Sequence, residues 1–164
     1  VKIPRGDLAY AAALVDTLAV LKVRVIDSAE LPVIALTTAR HEAAVRFLAK
    51  LTGTKLTPLV KDYTHRGCNE HCPDKHKHMQ SEGARWQVTG VKATIVLANL
   101  APYMRAQRRE AMRLIEIGRT VGYKGQVVND MAQRGWKIPE LKPQPRARVA
   151  VMRDGHQDAG GAPT

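Results

Sequence analysis

The segment Leu8–Ala19, LAYAAALVDTLA, runs with no turn signal into Val20–Asp27, VLKVRVID. The first half has helical spacing and carries four alanines, Ala9, Ala11, Ala12 and Ala13. So little side-chain bulk lets another backbone approach closely, the use made of small residues where helices must touch. In the second half Leu21, Val23 and Val25 alternate with Lys22 and Arg24, the period of a strand with one wet face. A helix joined directly to a two-faced strand must fold back onto a sheet or pair with a neighbour. An ordinary core helix has the same alanine content, so the order of the elements that follow has to decide.

Ser28–Glu30 reads as a turn, and Leu31–Thr37 returns as a second β-branched run, which together predict an antiparallel hairpin. Thr38 can cap a helix through His41–Leu51, with Ala44, Val45, Phe47, Leu48 and Leu51 as its apolar stripe and Gly53 placed to end it. Thr54–Thr64 is a third strand, and Pro58 inside it favours an edge or a bulge. Ala84–Thr89 is a fourth strand. Val91–Leu100 and Arg105–Ile117 read as helices parted near Pro102, the second ending at Gly118, with a short helix over Val127–Arg134. The expected class is therefore α+β, in the order helix, two strands, helix, two strands, helices. A domain over residues 1–141 and a basic tail over 142–164, low in apolar patterning, are expected, with disorder from about Arg153.

The 164 residues carry 26 Lys and Arg against 15 Asp and Glu, a formal charge of +11 and a pI near 10.1. A surplus of that size points to a polyanionic partner through phosphate neutralisation and counterion release. An acidic membrane surface is the weaker fit, because no basic amphipathic helix adjoins an exposed apolar face. With no long apolar run and no signal peptide, a soluble, cytoplasmic or nucleoid-associated protein of a bacterial or phage-infected cell is expected. The alternate strand positions Lys22, Arg24, Lys55, Lys61, Tyr63, Arg85, Gln87 and Thr89 are opposite the apolar set. On an open sheet face they would meet double-stranded DNA, with cations on phosphates and Arg or Gln on base edges. Any half-exposed antiparallel sheet also turns polar residues outward, and the net charge tips the balance toward nucleic acid.

The element order and the stretch Ala11–Ala19, AAALVDTLA, resemble the LAGLIDADG homing endonucleases, as do Arg85–Thr89 (RWQVT) and Leu100–Arg105 (LAPYMR), which are similar to the later part of phage- and intron-encoded members. The resemblance spans about Asp7–Ile117. It implies an αββαββα fold with a four-stranded antiparallel sheet and extra C-terminal helices, the sheet lying over the DNA major groove. It also implies that motif helices pack against each other. With one motif per chain, that means a homodimer on a roughly palindromic site, with Ala9, Ala12, Ala13 and Asp16 at the interface.

The departure from the family pattern bears on activity. The family motif ends in acid, small, acid, small. Asp16 matches the first acid, which is mostly structural, whereas the metal-binding second acid is matched by Leu18. Leucine cannot coordinate Mg²⁺, which takes oxygen ligands, and two-metal phosphodiester cleavage needs such carboxylates. Ala13, Thr17 and Ala19 stand where glycine is common. The expectation is a DNA-binding scaffold that has lost its nuclease. An active Mg²⁺-dependent endonuclease using Asp16, or a module for RNA or an acidic protein, are the alternatives.

A second constellation is His65-Arg66-Gly67-Cys68-Asn69-Glu70-His71-Cys72-Pro73-Asp74-Lys75-His76-Lys77-His78. Two cysteines so close do not suggest a disulfide framework, and thiolate and imidazole at this density suit tetrahedral Zn²⁺. Cys68, Cys72, His76 and His78 are the expected ligands, with His71 or His65 as substitutes. Such a structural clip would order a long loop (about 65–80) between the third and fourth strands. A solvated basic loop that never meets a metal is the plain alternative. Arg105, Arg108, Arg109 and Arg113 can reach phosphates or form the solvated face of their helix, opposite Met112, Leu114, Ile115 and Ile117. Arg146 and Arg148 can extend a phosphate-binding surface.

Overall fold

The computed structural model describes residues 2–38, 42–62 and 79–142. The order is α1 (Arg5–Leu18), β1 (Val20–Ile26), β2 (Ala29–Thr38), α2 (Glu42–Thr52), β3 (Thr57–Asp62), β4 (Met79–Thr89), α3 (Gly90–Leu100), a 3₁₀ turn (Ala101–Tyr103), α4 (Arg108–Thr120) and α5 (Gly125–Gln133). The strands make one sheet in the order β1-β2-β4-β3, each pair antiparallel. This is the expected αββαββα arrangement with further C-terminal helices.

Local chemistry explains the joints. The β1–β2 hairpin turns on two residues, Asp27 and Ser28, at φ 48° and 66°. Two successive positive φ values give a turn whose twist matches that of paired strands. The turn is earlier and tighter than the Ser28–Glu30 expected, because Ala29 and Glu30 already pair with Ile26 and Val25. Helix α2 ends at Gly53, as its place in the sequence predicts. Gly53 has φ +61°. Its N–H reaches Lys50 O at 3.4 Å and the Thr54 N–H reaches Ala49 O at 3.0 Å, a paired C-terminal cap that requires the left-handed residue. Pro58 lies on edge strand β3, next to a register shift at Leu59/Val60. An edge and a bulge are the places that tolerate a missing N–H.

Several boundaries differ from expectation. Strand β3 begins at Thr57 rather than Thr54, β4 begins at Met79 rather than Ala84, and α5 covers Gly125–Gln133 rather than Val127–Arg134. Helix α4 begins at Arg108 rather than Arg105, and it continues through Gly118 to Thr120. Gly118 is where α4 crosses α3, not where it stops. A Cβ there would lie 1.8 Å from Thr94 Oγ1, and Thr94 is fully buried, so the helices touch backbone to side chain.

The helices pack on the sheet face that carries Ile34 and Leu36 of β2 and Ala84, Trp86 and Val88 of β4. Against it lie Ala11, Ala12 and Val15 of α1, Val45 and Leu48 of α2, and Leu114 and Ile115 of α4. Helix α3 is buried at Val91, Ala93, Thr94, Ile95, Val96, Leu97 and Leu100, which makes it the central helix. Trp86 is completely buried, and its indole N–H donates to Thr52 Oγ1 at 3.0 Å. The Thr52 hydroxyl donates in turn to Leu48 O at 2.7 Å, so this polar contact ties β4 to the end of α2. Met112, expected on the apolar side of α4, is 46% exposed.

Candidate nucleic-acid interface

The helix-packed face takes one parity of each strand and leaves the other parity facing out. On β1 this outward set is Val20, Lys22, Arg24 and Ile26, with Lys22 and Arg24 exposed. Register places Lys22 opposite Val33, which pairs on its other side with Thr89. Val20 faces Ala35 and then Gln87, while Thr37 faces Arg85, which faces Thr57 of β3. Val33 and Ala35 are buried yet lie outside the helix-packed core. They form an apolar floor between the β1 cations and the β4 set.

The dimensions suit a duplex. Lys22 and Arg24 lie two strands away from Arg85, Gln87 and Thr89, about 10 Å at the usual strand spacing. The major groove is about 12 Å wide. Lys22 and Arg24 make no ion pair or side-chain hydrogen bond among the described residues. Arg85 is half-buried, and its Nε, like that of Arg119, is enclosed without an acceptor among the described residues. An enclosed, unsatisfied N–H is costly, and it is the terminal nitrogens of the guanidinium that remain to meet an acceptor. By contrast, three helical arginines are paired with carboxylates one turn away: Arg46 with Glu42, Arg113 with Glu110 at 2.8 Å and Arg119 with Glu116 at 2.7 Å. Arg113, one candidate for phosphate contact, is thus held by its neighbour. Arg105, Arg108 and Arg109 are exposed near the start of α4.

Not every expected face residue is brought to this surface. Lys55 is exposed but lies in the connector before β3, because the strand begins at Thr57. Lys61 is in β3, opposite Gln80, and Tyr63 lies outside the described residues. The expected metal ligands Cys68, Cys72, His76 and His78, and the substitutes His65 and His71, also lie outside them. Among the described residues no three His, Cys, Asp or Glu side chains gather as a metal site.

At the end of α1, Asp16 has a structural partner set. Its Oδ2 accepts the backbone N–H groups of Arg105 and Ala106, both at 2.9 Å, and its Oδ1 accepts that of Gln107 at 2.6 Å. Gln107 answers with its side-chain amide, which donates to Val15 O, Asp16 O and Ala19 O at 3.1, 2.9 and 3.0 Å. The two residues clamp the C-terminal end of α1 to the entry of α4, and the carboxylate sits where free amides and the helix dipole favour an anion. Burial pushes the Asp16 carboxyl up, but the backbone N–H groups of Gln107, Arg105 and Ala106 together hold it below the ordinary carboxylate value. Sequence reading missed Gln107. No local signal marks it: Gln107 precedes α4 without a side-chain cap hydrogen bond, and Glu110 is engaged by Arg113.

Leu18 is 41% exposed at the last turn of α1, so the position matching the second motif acid presents a hydrocarbon to solvent. Asp27, the next acid along the chain, lies just beyond the far end of the seven-residue β1, about 23 Å away along an extended strand. Of the residues expected on a dimer face, Ala9 and Ala13 are exposed. Ala12 is not available, because it is fully buried in the chain's own core. Asp16 is half-buried and engaged as above. The helix positions make the reason plain: Ala9 and Ala13 are four residues apart on one face, whereas Ala12 turns with Ala11 and Val15 toward the sheet.

No family model and no curated protein matches the sequence. Solved structures that match include two of the homing endonuclease I-CvuI. One is in complex with the I-CreI target in the presence of Mg, with the DNA not cleaved; it has a TM-score of 0.48 and 13% identity over 80% of this chain and 78% of that one. The other, in complex with its Sro1.3 target in the presence of Ca, has a TM-score of 0.48 and 14% identity over 80% and 81%. Likeness at this level does not assign the chain to a family.

Proposed function

We propose that this chain binds double-stranded DNA through the outward face of its sheet and does not cut it. The observation that carries this reading is the placement of Lys22 and Arg24 on β1, free of ion pairs among the described residues, across an apolar floor from Arg85, Gln87 and Thr89 on β4. The β1 cations supply phosphate contacts, Arg85 can donate twice to one base edge, and Gln87 can donate from its amide nitrogen and accept at its carbonyl oxygen on another. Loss of cleavage follows from Leu18 at the position that the resemblance gives to a metal-binding acid. Asp16, the remaining acid, is already committed to three backbone amides. A homodimer formed through the exposed Ala9–Ala13 side of α1 would place two such faces side by side on a near-palindromic site.

Strand geometry makes the base reading specific. Arg85 and Gln87 are two residues apart on β4, about 6.8 Å, which equals two base-pair steps. Fragments selected from random duplexes should carry two preferred positions separated by one base pair, a guanine for Arg85 and an adenine for Gln87. Arg85→Ala should relax the first preference and Gln87→Ala the second, each leaving the other in place. Recovered fragments should be uncut in Mg²⁺ or Mn²⁺. Cleavage that Asp16→Asn abolishes, with the fold intact, would instead establish an active endonuclease.

For the Cys/His segment we propose a structural zinc clip held by Cys68, Cys72, His76 and His78. Elemental analysis should find zinc in stoichiometric amount in the purified chain and lose it in Cys72→Ser. A metal-free wild-type protein would dismiss the clip without touching the DNA reading.

A further inference from the structure

A groove of about 710 Å³ lies where α4 ends beside the tip of the β1–β2 hairpin. Its walls bring together Glu30 of β2 with Glu116, Ile117 and Val121 at the end of α4. Val25, which pairs with Glu30, is 64% exposed, so hydrocarbon is left uncovered next to the hairpin acid. Each carboxylate has one arginine of α4 near it, Glu116 paired with Arg119 and Glu30 in the field of Arg113, but both are exposed and keep oxygens open to a further cation. They suit an occupant that is cationic and partly apolar.

The chain delivers such a segment to that place. The backbone N–H of Lys142 donates to Arg119 O at 3.2 Å, which fixes the exit of the following residues on the last turn of α4. Those residues read Pro143-Gln144-Pro145-Arg146-Ala147-Arg148-Val149-Ala150-Val151-Met152, with no acid among them. Arg146 is four residues past Lys142, a reach of about 13 Å. Glu116 is only three residues back from Arg119 along the helix, about 4.5 Å. The existing Glu116–Arg119 pair is exposed and of the kind that contributes little, so a second arginine can share that carboxylate.

We infer that residues 143–152 of the same chain occupy this groove, with Arg146 and Arg148 at Glu30 and Glu116 and the valines against Ile117, Val121 and Val25. The occupant is the chain's own segment because its entry point is already tethered at the groove. A separate molecule would have to displace it.

The test is the initial rate of trypsin cleavage after Arg146 and Arg148 in the full, DNA-free chain, read by mass spectrometry against a free peptide of the same sequence. Cleavage of a docked segment follows its open fraction, so a rate at least about tenfold below the peptide's is expected. The double variant Glu30→Gln, Glu116→Gln should restore the peptide rate while circular dichroism stays unchanged. Cleavage of the wild type at the peptide rate, or an unchanged rate in the double variant, overturns the inference. Protection that grows with protein concentration would assign the groove to a second copy's segment. Protection seen only with added duplex would assign the arginines to DNA.

Discussion

Replacing Lys22 and Arg24 together by alanine should weaken duplex binding by about two orders of magnitude at 0.1 M salt, since the counterion released at each neutralised phosphate is worth about tenfold at that concentration. The slope of log K against log salt should also become shallower by about 1.8, or 0.9 for each phosphate no longer neutralised. Both side chains are exposed on β1 and support no other described interaction, so melting should hardly change. Anisotropy of a labelled duplex, titrated with protein at several salt concentrations, measures both quantities. Unchanged affinity with a normal melt would mean that the sheet face is not the binding surface. Arg46→Ala serves as the control, since its charge is already paired with Glu42 on the helical side, and it should leave affinity as it was.

Asp16→Ala should cost about 2–3 kcal/mol of stability, the scale of hydrogen bonds to a charged group together with newly unsatisfied backbone amides. Gln107→Ala should act on the same joint, and the double variant should lose less than the sum, because each residue serves the other's segment. The pH dependence of Asp16→Asn separates this structural role from a catalytic one. The folded-state carboxyl lies below its ordinary value, so its contribution is complete above the unfolded value of about 3.9. It is lost as pH falls through the lower folded value. The difference in melting temperature between wild type and Asp16→Asn should therefore be constant from pH 7 to about pH 5 and close as the solution becomes more acidic. A difference that persists undiminished at the lowest pH at which the chain stays folded would contradict the clamp.

The parts of this fold that could be read in the sequence are those set by short-range chemistry. The alternation Leu21-Lys22-Val23-Arg24 depends only on which side of a strand meets water, and Gly53 depends only on a helix needing a left-handed residue to stop. Pro58 foretold an edge or a bulge and lies at both. Gly118 misled, because a glycine that lets two helices touch looks the same in sequence as one that ends a helix; only the position of Thr94 distinguishes them. Ala12 misled for a related reason. Alanine at every turn of α1 is compatible with two contact faces, and the sheet takes the one that includes Ala11, Ala12 and Val15. The Asp16–Gln107 clamp joins residues about ninety positions apart, and no local pattern carries such a pairing. The unsatisfied Nε of Arg85 is likewise a property of its surroundings, not of its strand.

The central claim is that an outward cationic β-face holds the double helix by its phosphates and bases. The most direct measurement is the affinity of the wild-type chain for a random-sequence duplex between about 50 and 300 mM KCl. With Lys22 and Arg24 on phosphates, log K should fall against log salt with a slope of about −2 per chain. Binding that is absent at the lowest salt, or that is flat across the range, would contradict the account.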